Sequence, residues 1–272
     1  MTYFGFLARF VVIPLVIMRW LIWRDNQKKK ALPEPLTSWD AEKALISHSL
    51  VALTYTTVWD NYLVATKVWG YDPKLVTGLR LAWVPIEEYT FFVLQPLLTG
   101  SFLQYIMRRM PPTEEPYSRD PKPRIMATGA LGVLWLASLR KMFEGKPKNT
   151  YLSLIMAWAL PPVMFQSAFG GDILWRNRKA IIATILASTA YLGVSDSLSI
   201  GEGTWGINPE KTIGLDVIPN LPFEEFFFFF ITNVLLTFGV TLVMSKESEN
   251  RLPAPLRKGY YAFKSRWLKR GE

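Results

Sequence analysis

The sequence predicts an all-α integral membrane protein, with about seven transmembrane helices in two parallel three-helix repeats plus one connecting helix. Three observations predict this class. Half of the 272 residues are apolar and only 19% are charged, against about 25% in ordinary soluble domains, so the mean hydropathy is +0.15. The apolar residues lie in long runs, and two parts of the chain repeat one another.

Seven apolar runs are the candidate spans, because a bilayer-crossing helix needs about 20 mainly apolar residues. They cover about residues 3–23, 44–59, 81–107, 125–139, 150–170, 180–200 and 218–244. The first run lacks the cleavage site of a signal peptide, so we expect a retained helix. The fourth is short. The fifth contains Pro161-Pro162, which predicts a kink or break because proline has no amide hydrogen.

The net charge of +9 predicts a membrane topology. With seven spans, 21 lysines and arginines lie in the loops and tail on one side and 8 lie on the other. Because positive residues concentrate on the cytoplasmic side, we expect a non-cytoplasmic N-terminus and a cytoplasmic C-terminus. The basic tail over residues 246–272 is then either an interfacial helix on anionic lipid or a solvated segment. Nucleic acid is not an expected partner.

An internal repeat relates two parts of the chain at a spacing of 136 residues. The residues that recur are Asp60, Trp69, Gly70, Pro73 and Gly78, found again as Asp196, Trp205, Gly206, Pro209 and Gly214. After one inserted residue, residues 85–88 (PIEE) match residues 222–225 (PFEE), and an aromatic run follows each. Such agreement in register indicates a duplication.

The repeat predicts how the chain is divided. We expect a first repeat over residues 1–110, a linker and connecting helix over 111–145, a second repeat over 146–245 and a basic tail over 246–272. A single connecting helix returns the chain to its starting side, so the repeats are parallel. Both Glu-Glu motifs then open their helices from the non-cytoplasmic side.

Glu87-Glu88 and Glu224-Glu225 are the candidate catalytic groups. Proline followed by acidic residues is also typical of a plain helix start. However, carboxylates at membrane depth are costly and indicate a functional site, and here paired acids occur twice before apolar sequence. A carboxyl group in a dry aromatic cavity can stay protonated and act as a general acid. Asp60 and Asp196 either relay the proton or are polar groups at helix ends.

Aromatic residues near these acids form the candidate substrate-binding set. Aromatic faces stabilise carbocations by cation–π attraction, so acids among rings suit acid-initiated chemistry on an apolar polyene. The tryptophans of the set are equally typical of membrane-interface anchors. The set consists of Trp59, Trp69, Tyr89, Phe91, Phe92, Trp205, Phe226, Phe228 and Phe229.

Other chemistries are disfavoured by composition. The chain has no cysteine and one histidine, so no metal site and no Ser-His-Asp triad are expected. Residues 201–206 match G-x-G-x-x-G, but they follow a predicted helix, and we predict no flavin or nicotinamide site. His48 lies on a predicted span, where it suits a helix–helix hydrogen bond.

These motifs resemble those of the membrane-bound lycopene cyclases, which occur as two bacterial subunits, as a fused chain, or as the N-terminal domain of a fungal bifunctional enzyme. The resemblance covers about residues 3–245. Its most specific parts are residues 84–89 (VPIEEY), 221–226 (LPFEEF), Trp59-Asp60, Pro161-Pro162 and residues 205–211 (WGINPEK). Ser195 stands where the first repeat has Trp59, so the two halves need not be equivalent.

The resemblance implies a redox-neutral isomerisation of lycopene or another linear carotenoid. A carboxylic acid protonates C2 of the ψ-end, the C5=C6 bond attacks C1, and proton loss from C6 or C4 gives a β or an ε ring. It implies that Glu87, Glu88, Glu224 and Glu225 supply acid and base, with Asp60 and Asp196 in support. The implied partners are the carotenoid, the bilayer and carotenoid-pathway enzymes.

Two other functions stay open from the residues alone. A proton-coupled transporter would use the same acids as relays and would leave carotenoids unchanged. A non-catalytic carotenoid-binding membrane protein would retain pigment without converting it. A retinal protein would need a lysine in the last span, and residues 218–244 contain none.

Overall fold

Long helices make up most of the chain in the computed structural model, which describes residues 1–110 and 120–269. Residues 111–119, which belong to the predicted linker, and residues 270–272 lie outside the described residues. Within the described ranges, five helices are long and apolar enough to cross a membrane. They are Tyr3–Gln27, Ile86–Met107, Pro147–Arg176, Arg178–Gly201 and Phe223–Met244.

The first of these helices contains a π-helical segment. It consists of α1 (Tyr3–Phe6), a π-helical segment (Leu7–Val12) and α2 (Ile13–Gln27). The π segment precedes Pro14, which has no amide hydrogen to donate to the carbonyl of Phe10. That carbonyl instead accepts a hydrogen bond of 3.0 Å from the Tyr191 hydroxyl group.

The remaining elements of the N-terminal half are two helices and three short strands. Asp40 begins the next helix by accepting a hydrogen bond from the amide of Lys43 at 3.0 Å, which satisfies one of its free amides. The elements are α3 (Ala41–Ala65), β1 (Trp69–Tyr71), β2 (Arg80–Leu81), β3 (Val84–Pro85) and α4 (Ile86–Met107).

The C-terminal half has the same order of elements after one additional long helix. Its last strand leads directly into a helix, as β3 leads into α4. The elements are α5 (Pro121–Phe143), α6 (Thr150–Arg176), α7 (Arg178–Gly201), β4 (Trp205–Ile207), β5 (Asp216–Ile218), β6 (Leu221–Pro222), α8 (Phe223–Met244), α9 (Lys246–Asn250) and α10 (Ala254–Lys269). Helices α3 and α5 are long but are not among these five.

Short strands join the two halves, a feature that the all-α prediction omits. Strands β1 and β4 are antiparallel, with Gly70 opposite Gly206 at their centre. Two further pairs, β2–β3 and β5–β6, form small hairpins just before α4 and α8. Strands of two or three residues are too short to give the period-two pattern by which strands are recognised in a sequence.

The sequence predicts a kink or a break at Pro161-Pro162, and a break does not occur there. Helix α6 continues through both prolines, and its non-helical residue is Gly170, at φ −145° and ψ 30°. The prolines free the carbonyls of Ala157 and Trp158, since each proline lacks the amide that would bond four residues back. Trp135 Nε1 donates to the first at 3.3 Å and the Tyr55 hydroxyl group to the second at 2.8 Å, so the helix needs no break there.

Two apolar clusters hold the helices together. The larger one lies around the strands and includes Trp59, Tyr89, Phe91, Tyr151 and Phe228 among its buried side chains. The smaller one includes Leu36, Trp39, Leu103, Met107 and Val240. The candidate site is part of the larger cluster.

The tail packs against the end of the bundle that carries the smaller cluster. Arg251 makes two hydrogen bonds to the Asp172 carboxylate, at 2.7 and 2.6 Å, and both side chains are buried. In α10, Tyr260 accepts a hydrogen bond of 2.6 Å from Trp39 Nε1. The described part of the tail is therefore attached to the helices.

Candidate active site

Four carboxyl groups are buried together near the ends of α3, α4, α7 and α8. They belong to Asp60, Glu88, Asp196 and Glu225, and none is more than 5% exposed. Among the residues that the structure describes, none of the four forms a salt bridge. Because a buried carboxylate without a cation is costly, protons and hydrogen bonds must balance this group.

Tyrosine hydroxyl groups supply hydrogen bonds to both glutamates. Glu88 Oε2 accepts two, from Tyr3 at 2.7 Å and from Tyr71 at 2.9 Å. Glu225 Oε2 accepts one, from Tyr151 at 2.6 Å. Burial and the nearby Glu88 raise the pKa of Tyr71 well above its ordinary value, so this residue of β1 stays a phenol and a donor.

The two aspartates have different environments. Asp196 Oδ1 accepts a hydrogen bond of 3.0 Å from Trp205 Nε1. Both oxygens of Asp60 are buried, and neither has a hydrogen-bond partner among the described residues. Trp69, the repeat counterpart of Trp205, makes no equivalent bond to Asp60 in the described structure. The halves therefore differ at the aspartates as well as at the glutamates.

A small cavity lies between the two halves, and we call it the carboxyl cavity. Its volume is about 30 Å³, which is room for about one water molecule. It brings Glu88 and Glu225 to one space together with Asp196. Its lining residues are Tyr3, Phe6, Trp69, Tyr71, Glu88, Phe91, Asp196, Trp205, Glu225, Phe228 and Phe229.

Stacked rings build the wall beside this cavity. Phe228 lies between Trp59, with ring centres 5.6 Å apart, and Trp69, at 5.7 Å and edge-on. Trp59 in turn stacks on Trp158 at 4.5 Å. Phe91 and Phe229 meet edge-on at 6.4 Å across the halves. A positive charge developing in the cavity would face these rings, whose π faces attract cations.

A larger space, the apolar cavity, adjoins the carboxyl cavity. Its volume is about 200 Å³. The two cavities share Phe91, Phe228 and Phe229 in their walls. Most of the other walls are apolar side chains of α3, α4, α6 and α8, including Phe92. The apolar walls of this cavity would suit an apolar chain whose end reaches the carboxyl cavity.

The first glutamate of each pair faces away from the carboxyl cavity. Glu87 Oε1 accepts a hydrogen bond from the amide of Thr77, and Glu224 Oε1 accepts one from the amide of Ile213, both at 2.6 Å. Thr77 and Ile213 belong to the loops that precede the two hairpins. Consecutive helical residues diverge by about 100°, which explains why only Glu88 and Glu225 reach the cavity.

Some of the predicted aromatic set also lies elsewhere. Tyr89 donates a hydrogen bond to the carbonyl of Leu81 and accepts one from Asn61, both at 2.9 Å. It therefore links β2 to α3. Phe226 lies against Gly193 of α7. Neither residue lines the carboxyl cavity. The other seven residues of the set lie in or beside the two cavities.

Three tyrosines at this site were absent from the predicted set. They are Tyr3, Tyr71 and Tyr151, and each donates to a cavity glutamate. A signal for two of them exists in the sequence. The dipeptide Thr-Tyr occurs three times, at residues 2–3, 54–55 and 150–151, and the first and third stand at the start of the first helix of each half. Tyr71 has Ile207 as its repeat counterpart, so the repeat gives no signal for it.

No group of three or more metal-binding side chains occurs within the described residues. His48, in α3, bonds through Nδ1 to the carbonyl of Ala44 at 2.8 Å, and its Nε2 lies against Gly239 of α8. The G-x-G-x-x-G segment starts at the end of α7 and runs into β4, so it lacks the strand-before-helix context of a dinucleotide site.

Comparison with known proteins identifies related sequences. The sequence model of the family described as lycopene cyclase matches residues 1–106 and 148–244. A lycopene beta-cyclase of Halobacterium salinarum is 37% identical over 208 residues, which are 75% of this chain and 85% of the relative. A bifunctional lycopene cyclase/phytoene synthase of Podospora anserina is 33% identical over 205 residues, 71% of this chain but only 34% of the relative. No solved structure matches the chain.

Proposed function

The chain belongs to the lycopene cyclase family, and from this premise we propose that a linear end of the carotenoid is closed to a ring where the apolar cavity adjoins the carboxyl cavity, whose glutamates act on it. The activity is that of an intramolecular lyase of carotenoid biosynthesis. One observation carries the assignment of the site. Glu88 and Glu225, each held by a tyrosine, face a single aromatic cavity from the two halves, so we propose one composite site.

Glu225 is the proposed acid and Glu88 the proposed base. Two phenol hydroxyl groups donate to one oxygen of Glu88, whereas one donates to Glu225. Hydrogen bonds to a carboxylate favour its charged form. Glu88 is therefore the group better suited to start the reaction as a carboxylate, and Glu225 the one better suited to start it with a proton.

The reaction moves one proton in and one proton out. Glu225 gives its proton to C2 of the ψ-end, which leaves the cation on C1. The C5=C6 bond then supplies the electron pair for the C1–C6 bond, and the cation moves to C5. Glu88 removes the proton from C6, and the electron pair of the broken C6–H bond forms the C5=C6 double bond of a β ring. Substrate and product are isomers, so the step balances without an oxidant or a reductant, and we propose that no flavin or nicotinamide takes part.

The cavity also serves the cation and the return of the proton. The aromatic side chains of Trp69, Trp205 and Phe228 border the space, and their π electrons would attract the charge at C1 and C5. Room for about one water molecule limits capture of the cation by water. Because acid and base line the same cavity, the proton on Glu88 can return to Glu225 through one water molecule or through Asp196.

Glu87 and Glu224 are proposed as positioning residues. Each accepts a short hydrogen bond from a loop amide and so attaches that loop to the start of the helix that carries the catalytic glutamate. Asp60 and Asp196 are proposed to complete the proton network, since both are buried and Asp196 lines the cavity.

In the membrane, we propose seven spans arranged as two parallel repeats, with α5 as the connecting helix. The order of elements in the two halves, the β1–β4 pairing and the distribution of lysine and arginine support this. The carboxyl cavity then lies toward the non-cytoplasmic side, and the tail lies in the cytoplasm. The substrate, a linear carotenoid, is apolar and is dissolved in the bilayer itself.

Expression in lycopene-accumulating cells tests this function. We expect lycopene to disappear and a compound with β rings to form, identified by chromatography against ring standards. Persistence of lycopene despite verified membrane insertion would overturn the proposal. Pigment retained without conversion would indicate a carotenoid-binding protein, and proton-coupled transport in liposomes without conversion would indicate a transporter.

A further inference from the structure

One end of the apolar cavity is lined by two polar side chains. Along α8 its lining extends from Phe228 to Leu236, a distance of about 12 Å at about 1.5 Å per residue. At that depth it ends at His48 of α3 and Gln166 of α6. We call this pair the polar floor.

Both floor residues are held in place by hydrogen bonds or close contact. Gln166 Nε2 donates to the carbonyl of Leu235 at 3.0 Å. His48 bonds through Nδ1 to the carbonyl of Ala44, and its Nε2 would lie only 2.6 Å from a Cβ placed at Gly239. The floor thus links α3, α6 and α8. A polar pair in an apolar interior is costly to bury, and to move it would break the hydrogen bond that compensates Gln166.

A third space, the tail cavity, lies on the other side of this floor. It has a volume of about 250 Å³ and shares His48 and Gln166 with the apolar cavity. Its remaining walls include Leu242, Leu252 and Tyr260, so the tail covers it. The polar floor is therefore the wall that the apolar cavity and the tail cavity share.

One wall of the apolar cavity is exposed on the outside of the bundle. Val51 and Tyr55 of α3 line the cavity and are 62% and 43% exposed. Tyr55 reaches across to α6, where it stacks on Trp158 at 5.2 Å and donates to its carbonyl. An opening toward the surroundings therefore lies beside Val51, between α3 and α6.

We propose that the carotenoid reaches the carboxyl cavity sideways from the bilayer, between α3 and α6, and that the polar floor closes the alternative route through the tail cavity. This inference rests on the proposed function. The end group lies where the apolar cavity adjoins the carboxyl cavity, the neighbouring part of the polyene fills the apolar cavity, and the rest of the chain leaves past Val51 into the hydrocarbon of the bilayer.

Site-directed labelling can test the route cleanly because the chain has no cysteine. Three single variants are compared: Val51→Cys at the opening, Leu252→Cys in the tail cavity and Leu50→Cys as a matched control. Leu50 is on the same helix as Val51 and is also exposed. Each variant is purified in detergent, reconstituted with lycopene and assayed before and after reaction with a bulky maleimide, with labelling measured by mass.

We expect labelled Val51→Cys to lose at least about tenfold in kcat/KM, a change of the size that a small misfit in a substrate pocket produces. Labelled Leu50→Cys and Leu252→Cys should keep their activity. Loss of activity on labelling of Leu252→Cys, with none for Val51→Cys, would overturn the lateral route. Failure of the unlabelled wild-type chain to cyclise lycopene would instead count against the proposed function.

Discussion

The hydroxyl group of Tyr151 donates a hydrogen bond to Glu225 Oε2 at 2.6 Å, although 74 positions separate the two residues. Tyr3 stands in the same relation to Glu88, at 2.7 Å. In each half a phenol from the first helix therefore fixes a carboxyl group at the start of the last helix. This relation leads to the first two predictions.

Tyr151→Phe removes the hydrogen bond to Glu225 and leaves the ring in place. We expect kcat to fall by about tenfold or more, because the proposed acid loses the contact that orients it, and the free energy of unfolding to fall by about 1 kcal/mol. Tyr62→Phe is the control, since Tyr62 is half exposed and lies outside the cavities described. Equal activity of both variants would contradict an orienting role for Tyr151.

Glu88→Gln and Glu225→Gln each replace a carboxyl group by an amide of the same shape. We expect either substitution to lower kcat by about a hundredfold or more, since the amide can neither give nor take the proton, while membrane insertion and thermal stability change little. Glu144→Gln is the control. Glu144 follows the end of α5 and forms an ion pair with Lys141. Near wild-type product formation by either cavity variant would remove that glutamate from the mechanism.

Glu224→Ala should lower stability while leaving measurable activity, whereas Glu225→Ala should abolish activity. The change removes the acceptor for the amide of Ile213, and a buried donor without a partner costs about 1–3 kcal/mol. Glu224→Gln, which keeps an acceptor oxygen, should restore most of the stability. Thermal unfolding and kcat measured on the same preparations separate the two effects. A complete loss of kcat in Glu224→Gln at wild-type stability would make Glu224 catalytic.

Tyr55→Phe removes the hydroxyl group that donates to the carbonyl of Trp158. This carbonyl has no helical partner because Pro162, four residues later, lacks an amide hydrogen. Hydrogen bonds between membrane helices contribute about 0.6 kcal/mol on average, and we expect a destabilisation of that order. In a Pro162→Ala background the helix can make its own bond to Trp158, so the same change should cost less. A double-mutant cycle of unfolding free energies measures the difference. Equal costs in the two backgrounds would show that Tyr55 does not compensate for the proline.

The attachment of α10 should depend on pH through Glu249. Burial alone would raise the pKa of Glu249, but hydrogen bonds from Lys264 and Tyr260 outweigh it, and the pKa lies below its ordinary value of 4.5. Burial raises the pKa of Tyr260 to about 12, so it remains a donor. A lowered carboxyl pKa stabilises the attached state above the ordinary value, and this stabilisation is lost as the pH falls through the lowered value.

Limited proteolysis of the tail measures this attachment. We expect equal cleavage rates at pH 7 and pH 5.5, and faster cleavage only below about pH 4.5. Glu249→Gln should be cleaved faster at pH 7, with little further change on acidification. A wild-type tail that became sensitive already between pH 7 and pH 5.5 would point to a different titrating group.

Much of the site could be predicted because the duplication marks it. Glu88 and Glu225 recur in register with their prolines and aromatic neighbours, and burial of acids in apolar helices is costly enough to imply a role. The division of labour within each Glu-Glu pair was not predictable. It depends on which residue of the pair points inward, and that is set by the loop amides of Thr77 and Ile213, which bind Glu87 and Glu224.

Other features depend on contacts between distant residues. A kink or a break was expected at Pro161-Pro162, but helix α6 is not broken there, and the carbonyls that these prolines free find donors in Tyr55 and Trp135. Nothing near residue 161 in the sequence indicates either partner. The difference between the halves at Tyr71 and Ile207 is visible in the sequence, yet it gains meaning only because Tyr71 reaches Glu88.

The antiparallel pairing of β1 with β4, centred on Gly70 and Gly206, has a consequence for the origin of the chain. An antiparallel pair of equivalent strands has local two-fold symmetry, and its contact is self-complementary. A single half that carried such a strand could pair with a second copy of itself and enclose the cavity between two subunits. Gene duplication and fusion would then turn a homodimer into one polypeptide and free each half to change on its own, as Tyr71 and Ile207 have.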